Sequence, residues 1–319
     1  MSSSVGIPVL ELKQVERTFI GRDGNEIQAV RPSTLSIVER EIVALVGESG
    51  SGKSTLAKIA LALEKPDKGG VHLEGRALFK LSRRELRARR TAMQPVFQDP
   101  TAAFNPRQPI RQVLYEAIAC RSDAVADPER AALEILERVG LSPSTDFIDR
   151  YPHEISGGQR QRLGIARALA TKPKIIIADE PLSGADVSIR GQILNLLLDL
   201  RRTEGLAILF ITHDISIAEV FADRVVVMYR GMIVEEGRAV DVLGNPAHPY
   251  TRLLLAAVPS IDGNGVDGFK SLIVARPETI GCPFHSRCIS AVERCAQEVP
   301  PARDLADSRK YRCFVSPSS

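Results

Sequence analysis

Gly47 to Thr55 reads GESGSGKST, a glycine-rich stretch that closes on a lysine and two hydroxyls. Glycines let a backbone wrap a phosphate so that amide N–H groups and a helix N-terminus face negative charge. Lys53 supplies a cation for the β- and γ-phosphates, and the Ser54 hydroxyl a ligand for Mg²⁺. Gly47, Ser49, Gly50, Ser51, Gly52, Lys53, Ser54 and Thr55 are therefore expected to hold the phosphates of a nucleotide. Further on, IIIADE ends a short apolar run in two acids. Asp179 is placed to orient a magnesium shell, and Glu180 to take a proton from an attacking water. A third stretch, ISGGQRQR, sets Ser156, Gly157, Gly158 and Gln159 at the start of a helical pattern, a second anion-binding helix end. One nucleotide has one γ-phosphate, already cradled, so this second end makes sense if it caps the nucleotide of another subunit.

A fourth group is of different chemistry. Cys282, Cys288, Cys295 and Cys313 are separated by five, six and seventeen residues. In a reducing cytosol such a cluster favours a metal or a cluster over disulfides. The gaps are wider than those of common structural zinc sites or of a bacterial ferredoxin run, so spacing leaves the metal open. Four thiolates would close one tetrahedral set, a staple for a small appendage with little core of its own. His285, inside the motif, is expected to be a solvated loop histidine rather than a ligand. Cys120, alone, is expected to be a buried small hydrophobe.

These groups need elements to hold them. The first forty residues alternate in short pieces, LELKQVERTF, EIQAV and TLSIVER, with the turn GRDGNE between them, and predict short strands at a sheet edge. EIVALV, the glycine-rich loop and STLAKIALALE predict strand, loop and helix. SRRELRARR, AALEILERV and QRQRLGIARALAT carry helical periodicity, and QPVFQDPTAAFNPRQPI reads as a proline-punctuated loop. KIIIADE, QILNLLLDLRR and AILFITHD predict a strand, a crossover helix and a second strand of a parallel sheet. Past Arg238 the regularity fades: NPAHPY reads as a turn and IDGNGVDG as a linker.

Composition narrows the class. The 319 residues are 44% hydrophobic and 25% charged, ordinary for a soluble globular protein, and a net charge of +3 is too small to argue for nucleic acid. No apolar run reaches the roughly 18 residues that cross a bilayer, and the N-terminus shows neither a signal peptide nor an anchor, so a cytosolic protein is expected. The basic SRRELRARR is expected to be a solvated helix face rather than a lipid-headgroup contact.

With GESGSGKST, VFQDP, ISGGQRQR, IIIADE, SGAD and ITHD in that order, the chain resembles an ATP-binding subunit of an ABC transporter over roughly Val9 to Leu243. The resemblance implies an α/β P-loop NTPase cassette: a RecA-like mixed sheet with helices, an antiparallel β edge subdomain, and a helical signature subdomain at about 99–170. Residues 1–243 would form the nucleotide-binding domain and 244–319 a small C-terminal cysteine-rich extension. It implies ATP and Mg²⁺ as cofactors. Gln98 matches the Q-loop glutamine, which contacts Mg²⁺ and the attacking water and senses the membrane subunits. Asp186 matches the D-loop aspartate at a dimer interface, and His213 the switch histidine at the γ-phosphate. Phe19 falls where the family stacks an aromatic on adenine, with a core aromatic on an edge strand as the alternative. Two departures stand out: Gly184 and Ala185 interrupt the commoner SALD form of the D-loop, and Ile155 replaces a leucine before the signature serine.

QDPTAAFNPR, YPHEISGGQRQR and NPAHPYTRLLLAAVP further resemble the dipeptide, oligopeptide and nickel importer branch. That implies an ATPase powering import of peptides, with nickel or glutathione as alternative cargo. Its partners would be a sister ATPase, in a heterodimer or a homodimer, two integral permease subunits, and a substrate-binding protein met through the complex. Its place would be the cytoplasmic face of the bacterial inner membrane, as a peripheral protein. GCPFHSRC, with Cys295 and the later YRCF, resembles the branch's C-terminal extension, where some members hold a 4Fe-4S cluster, so such a cluster is expected ahead of zinc. The proline-rich lead-in is reduced here to VARPETIG. A different class, soluble ABC ATPases acting on DNA or ribosomes, commonly shows two cassettes or a long coiled coil, and this chain has one cassette and no sustained heptads.

Overall fold

The computed structural model describes residues 7–21, 23–99, 104–257, 280–305 and 309–316. Two long strands open it, β1 (Leu10–Ile20) and β2 (Glu26–Ile37). EIQAV and TLSIVER are therefore one strand and not two short pieces. Pro32 lies inside β2, an edge strand with a neighbour on one side only, the place in a sheet where a residue without an N–H is tolerated. β3 (Ile42–Val46) is buried at every position and runs straight into the glycine-rich loop and α1 (Lys53–Ala60). A small antiparallel pair, β4 (Lys68–Leu73) and β5 (Arg76–Ala77), follows. α2 (Arg83–Arg89) starts on a capping box in which Ser82 and Glu85 satisfy one another's backbone N–H groups. No residue of α2 is buried, so the basic stretch is an exposed helix face.

After β6 (Met93–Val96) come three amphipathic helices, α3 (Ile110–Ile118), α4 (Pro128–Arg138) and α5 (Gly157–Leu169). Asp127 caps α4, with Pro128 in its first turn where no N–H is needed. β7 (Ile175–Asp179), α6 (Val187–Glu204) and β8 (Ala207–Thr212) form the expected strand, crossover helix and strand. α6 stops at Gly205, which adopts the left-handed cap conformation. Then follow α7 (Ile215–Phe221), β9 (Arg224–Tyr229), β10 (Met232–Arg238), α8 (Ala239–Gly244), α9 (Pro249–Ala256), the short α10 (Arg294–Gln297), β11 (Arg303–Asp304) and β12 (Lys310–Tyr311). Order does not fade after Arg238 as the sequence suggested: α8 and α9 are regular, and NPAHPY holds the N-cap of α9 instead of a mere turn. The linker IDGNGVDG and most of VARPETIG lie outside the described residues.

The chain forms two compact units. One comprises residues 1–13, 34–41 and 57–211, the other 14–33, 42–56 and 212–319. In the first, β6, β7 and β8 are parallel neighbours, with Ile175, Ile176 and Ile177 opposite Met93 to Pro95 on one side and Ala207 to Leu209 on the other. Those isoleucines and all of β8 are buried, the near-continuous apolar run of strands covered on both faces. In the second unit, β3 and β9 are parallel, β10 is antiparallel to β9 with an irregularity between Ile233 and Glu235, and β12 and then β11 continue the ladder.

Cys282, Phe284 and Cys295 are buried in one cluster with Val46, Val227, Tyr229, Val234 and Tyr250, while β12 pairs with β10. The tail thus has little core of its own and packs on that of β3, β9 and β10. Cys120 is unlike its expectation: it is exposed.

Candidate nucleotide site

In the second unit, the phosphate loop is held from below by the β9–β10 turn. Gly231 N–H donates to the Ser51 carbonyl at 2.8 Å, and Arg31 N–H to the Gly231 carbonyl at 2.8 Å. Gly52 has φ +103°, and a Cβ there would meet the Ala29 carbonyl oxygen at 2.2 Å, so only glycine fits. Lys53 is buried, and its ammonium donates to the Gly47 and Glu48 carbonyls, each at 2.8 Å. These bonds orient the cation along the loop and leave α1 to begin with Leu56 N–H on the Gly52 carbonyl at 2.9 Å. Two other expected site residues lie in this unit. Phe19 is exposed, with the Arg17 guanidinium 4.7 Å from its ring centroid, which discards the core-aromatic alternative. His213 is exposed just past the end of β8.

The loop is also held from above, by residues the sequence reading did not assign to it. Glu48 N–H donates to the Tyr250 hydroxyl at 2.9 Å. Tyr250 is fully buried at the start of α9, and burial raises its hydroxyl well above the usual phenol range. His248 caps that helix: its Nδ1 accepts from Tyr250 N–H at 3.0 Å, and burial drives its pKa down to about 3, so the ring is neutral. The wholly buried Glu235 carboxylate accepts from the N–H groups of Ala247 and His248 at 2.7 and 2.9 Å. From the cysteine segment, Arg287 reaches the Glu48 carboxylate through two nitrogens at 2.9 and 3.1 Å, a bidentate fork. The rings of Tyr229, Tyr250 and Phe284 pack on one another beside it. The motifs HPYT and FHSRC were visible in the sequence, but their separation from GESG by some 200 residues hid the contact.

The first unit carries the other candidate residues. Asp179 closes β7, and Glu180 follows with φ +47°, a left-handed conformation costly for a residue with a Cβ. Its N–H donates to the Ile211 carbonyl at 3.0 Å, so the ladder between β7 and β8 fixes its backbone. Gln98, exposed after β6, donates to the Ser183 hydroxyl at 3.2 Å, which joins the Q-loop and D-loop positions. Ser156 caps α5 in a capping box with Gln159. A Cβ on Gly158 would meet Ile189 of α6 at 2.8 Å, while Gly157 faces open space. Asp186 caps α6 by accepting from Ile189 N–H at 2.9 Å. Gly184 has φ +73°, so the departure from SALD suits the backbone found there.

Residues 30–183 match the family model described as ABC transporter, and 234–295 the one described as Oligopeptide/dipeptide transporter, C-terminal region. The chain is 44% identical over 296 residues to a probable peptide ABC transporter ATP-binding protein of Sinorhizobium fredii, covering 91% of this chain and 83% of that one. It belongs to the ABC transporter ATP-binding subunits. A dipeptide transport ATP-binding protein of Haemophilus influenzae is 39% identical, with 91% and 89% of the two chains covered. Among solved structures, a dimeric ATP-binding cassette in a post-hydrolysis state with ADP and Pi aligns with TM-score 0.64 at 33% identity, over 72% of this chain and 98% of that one. The cbiO1 protein of Clostridium perfringens, part of the ABC transporter complex cbiONQ, aligns with TM-score 0.66 at 28% identity, over 74% and 91%. The fold is thus the ABC ATPase cassette, and the chain is an ATPase subunit of that family.

In this ATP-binding subunit the four tail cysteines form no disulfide. Cys282, Cys295 and Cys313 are buried and Cys288 half-buried. Burial raises the pKa of Cys282, to about 11, and those of Cys288 and Cys313, each opposed by neighbouring backbone hydrogen bonds. Each of the four lies within electrostatic reach of the other three. Among the described residues, no group of three or more His, Cys, Asp or Glu side chains is placed to hold a metal ion. Arg31 interacts electrostatically with Cys282, and Arg303 with Cys313.

Proposed function

We propose that this subunit hydrolyses ATP to power import of di- or oligopeptides through a membrane transporter. The observation that carries the peptide assignment is the match of residues 234–295 to the oligopeptide/dipeptide transporter C-terminal region. In this reading Phe19 stacks on adenine, and the backbone from Gly47 to Thr55 cradles the phosphates with Lys53. Ser54, Gln98 and Asp179 would hold Mg²⁺, which when bound neutralises charge between the β- and γ-phosphates. Glu180 takes the proton of the attacking water, Gln98 orients that water, and His213 contacts the γ-phosphate. Ser156, Gly157, Gly158 and Gln159 cap the nucleotide of a second ATPase subunit, with Asp186 at that interface. The open space at Gly157 supports an approach from outside the chain.

The partner is a sister ATPase, and together they drive two permease subunits fed by a substrate-binding protein. No helix among the described residues is long and apolar enough to cross a membrane, which supports a peripheral place on the cytoplasmic face. Residues 1–243 serve as the cassette and 244–319 as its extension. The tail cysteines hold a 4Fe-4S cluster. The electrostatic interaction of each of these cysteines with the other three supports one shared group, and that of Arg31 with Cys282 and of Arg303 with Cys313 suits a negative charge there.

Uptake of labelled di- and oligopeptides, nickel and glutathione, in cells lacking the subunit and in cells carrying Glu180→Gln, tests the assignment. Peptide uptake should fall in both, while the purified variant binds ATP and turns over about 10²- to 10⁴-fold more slowly. Intact peptide uptake with lost nickel or glutathione uptake would reassign the cargo. Iron and acid-labile sulfide in protein purified without oxygen, absent from Cys288→Ser, would support the cluster; zinc without sulfide would replace it.

A further inference from the structure

We infer that Arg287 is a positioning residue of the nucleotide site, neutralising an acid inside the phosphate loop and thereby setting ATP affinity from the cysteine segment; this rests on the ATPase reading. The loop places Glu48 directly after its first glycine. A carboxylate there opposes the binding of a polyanion. A unit charge about 8 Å from a phosphate, at an effective dielectric of about 40, shifts affinity by about sixfold. Arg287 removes that charge through its bidentate contact, and the same contact fixes where the Glu48 side chain points. The pair is partly exposed, with side chains 26% and 42% accessible, so water screens it in part.

Arg287 is not a loose surface arginine. It ends the helical turn His285–Arg287, between Cys282 and Cys288, where Arg287 N–H donates to the Phe284 carbonyl at 3.0 Å. Its guanidinium lies 5.8 Å from the Tyr229 ring centroid and 5.9 Å from that of Phe284. It lines one cavity with Glu48, Ser49, Gly50, Ser51, Tyr229 and Arg230. Two arginines and the open backbone of the loop therefore share the space beside the phosphate site. Glu48 is held at both ends: its N–H by the Tyr250 hydroxyl, its carboxylate by Arg287.

A fastening role and a charge-balancing role predict different double variants. If the ion pair only ties the tail down, then Arg287→Ala, Glu48→Gln and the double variant lose the same bond and weaken alike. If Arg287 cancels the Glu48 charge, the single variants part company. Equilibrium binding of a fluorescent ATP analogue to the full chain, at low and high salt, separates them. Arg287→Ala should weaken binding about sixfold at low salt and less at high salt. Glu48→Gln should bind as tightly as wild type or more so, the double variant should recover to within twofold of wild type, and Arg287→Lys should lie between. Arg287→Ala should also raise KM for ATP with kcat little changed. A double variant as weak as Arg287→Ala, or Glu48→Gln as weak as either, overturns the proposal while leaving the ATPase reading intact. Wild-type protein that binds no nucleotide, or Lys53→Ala that binds like wild type, removes both. Should Arg287→Ala fail to fold, Glu48→Gln and Arg287→Lys decide the matter alone.

Discussion

The two groups of site residues are built in opposite ways. The phosphate loop is braced by contacts from the rest of its own unit. Gly231 supports it below, Tyr250 and Arg287 hold it above, and the buried Lys53 is bonded to its carbonyls. The signature and D-loop residues are instead exposed and turned onto their own helices, with Ser156 spent on Gln159 N–H and Asp186 on Ile189 N–H. A site that must bind first is rigid, because ordering it on binding would cost affinity. In the proposed function the other two helix ends meet a partner, and they keep self-made caps that a ligand can replace.

That contrast can be broken at several points. Lys53→Ala should lower ATP affinity by about 10²-fold in the isolated subunit, read by equilibrium binding. Ser156→Ala should leave the same affinity within twofold and lower only the turnover of the assembled dimer; equal losses in the two variants would erase the distinction between preformed and partner-dependent halves.

Next in size is an acid sensitivity on the phosphate-loop side. The folded-state pKa of His248, about 3, lies below its ordinary value of 6.5. As pH falls from about 6.5 toward 3, the unfolded chain takes up a proton that the fold refuses, so this part of the stability is present above the window and lost within it. From pH 7 to pH 5 the loss is about 2 kcal/mol. The raised pKa of the neighbouring Glu235 works in the opposite sense. Urea unfolding of wild type and His248→Gln at both pH values isolates the histidine, since the variant should lose the smaller amount.

On the other side, Gly158→Val should cost about 1–3 kcal/mol by driving a side chain into Ile189, measured by thermal unfolding. Gly184→Ala should cost less, about 1 kcal/mol, because the space is open and only the backbone conformation resists. If Gly184→Ala proved the more damaging of the two, the D-loop would be a tighter structure than its open surroundings indicate.

The sequence determined by itself whatever is local. Glycines, a lysine and a serine between an apolar strand and a helix specify a phosphate loop, since backbone freedom, charge and helix end all act within nine residues. Ser156 announced its helix for the same reason, and Ser82, Asp127 and Asp186 prove to cap theirs. The β7–α6–β8 unit followed from apolar runs of strand length around a helical period. What tertiary structure decided are the contacts between distant segments. Pro32 lies inside a strand because β2 is at an edge. Cys120 is exposed, and Cys282 and Cys295 share the core of β3, β9 and β10, because burial depends on what packs there and not on residue type. Glu48 meets Tyr250 and Arg287 across 202 and 239 residues. Chain folding alone closes such separations, and no periodicity or spacing in one sequence encodes which charge a loop acid will face.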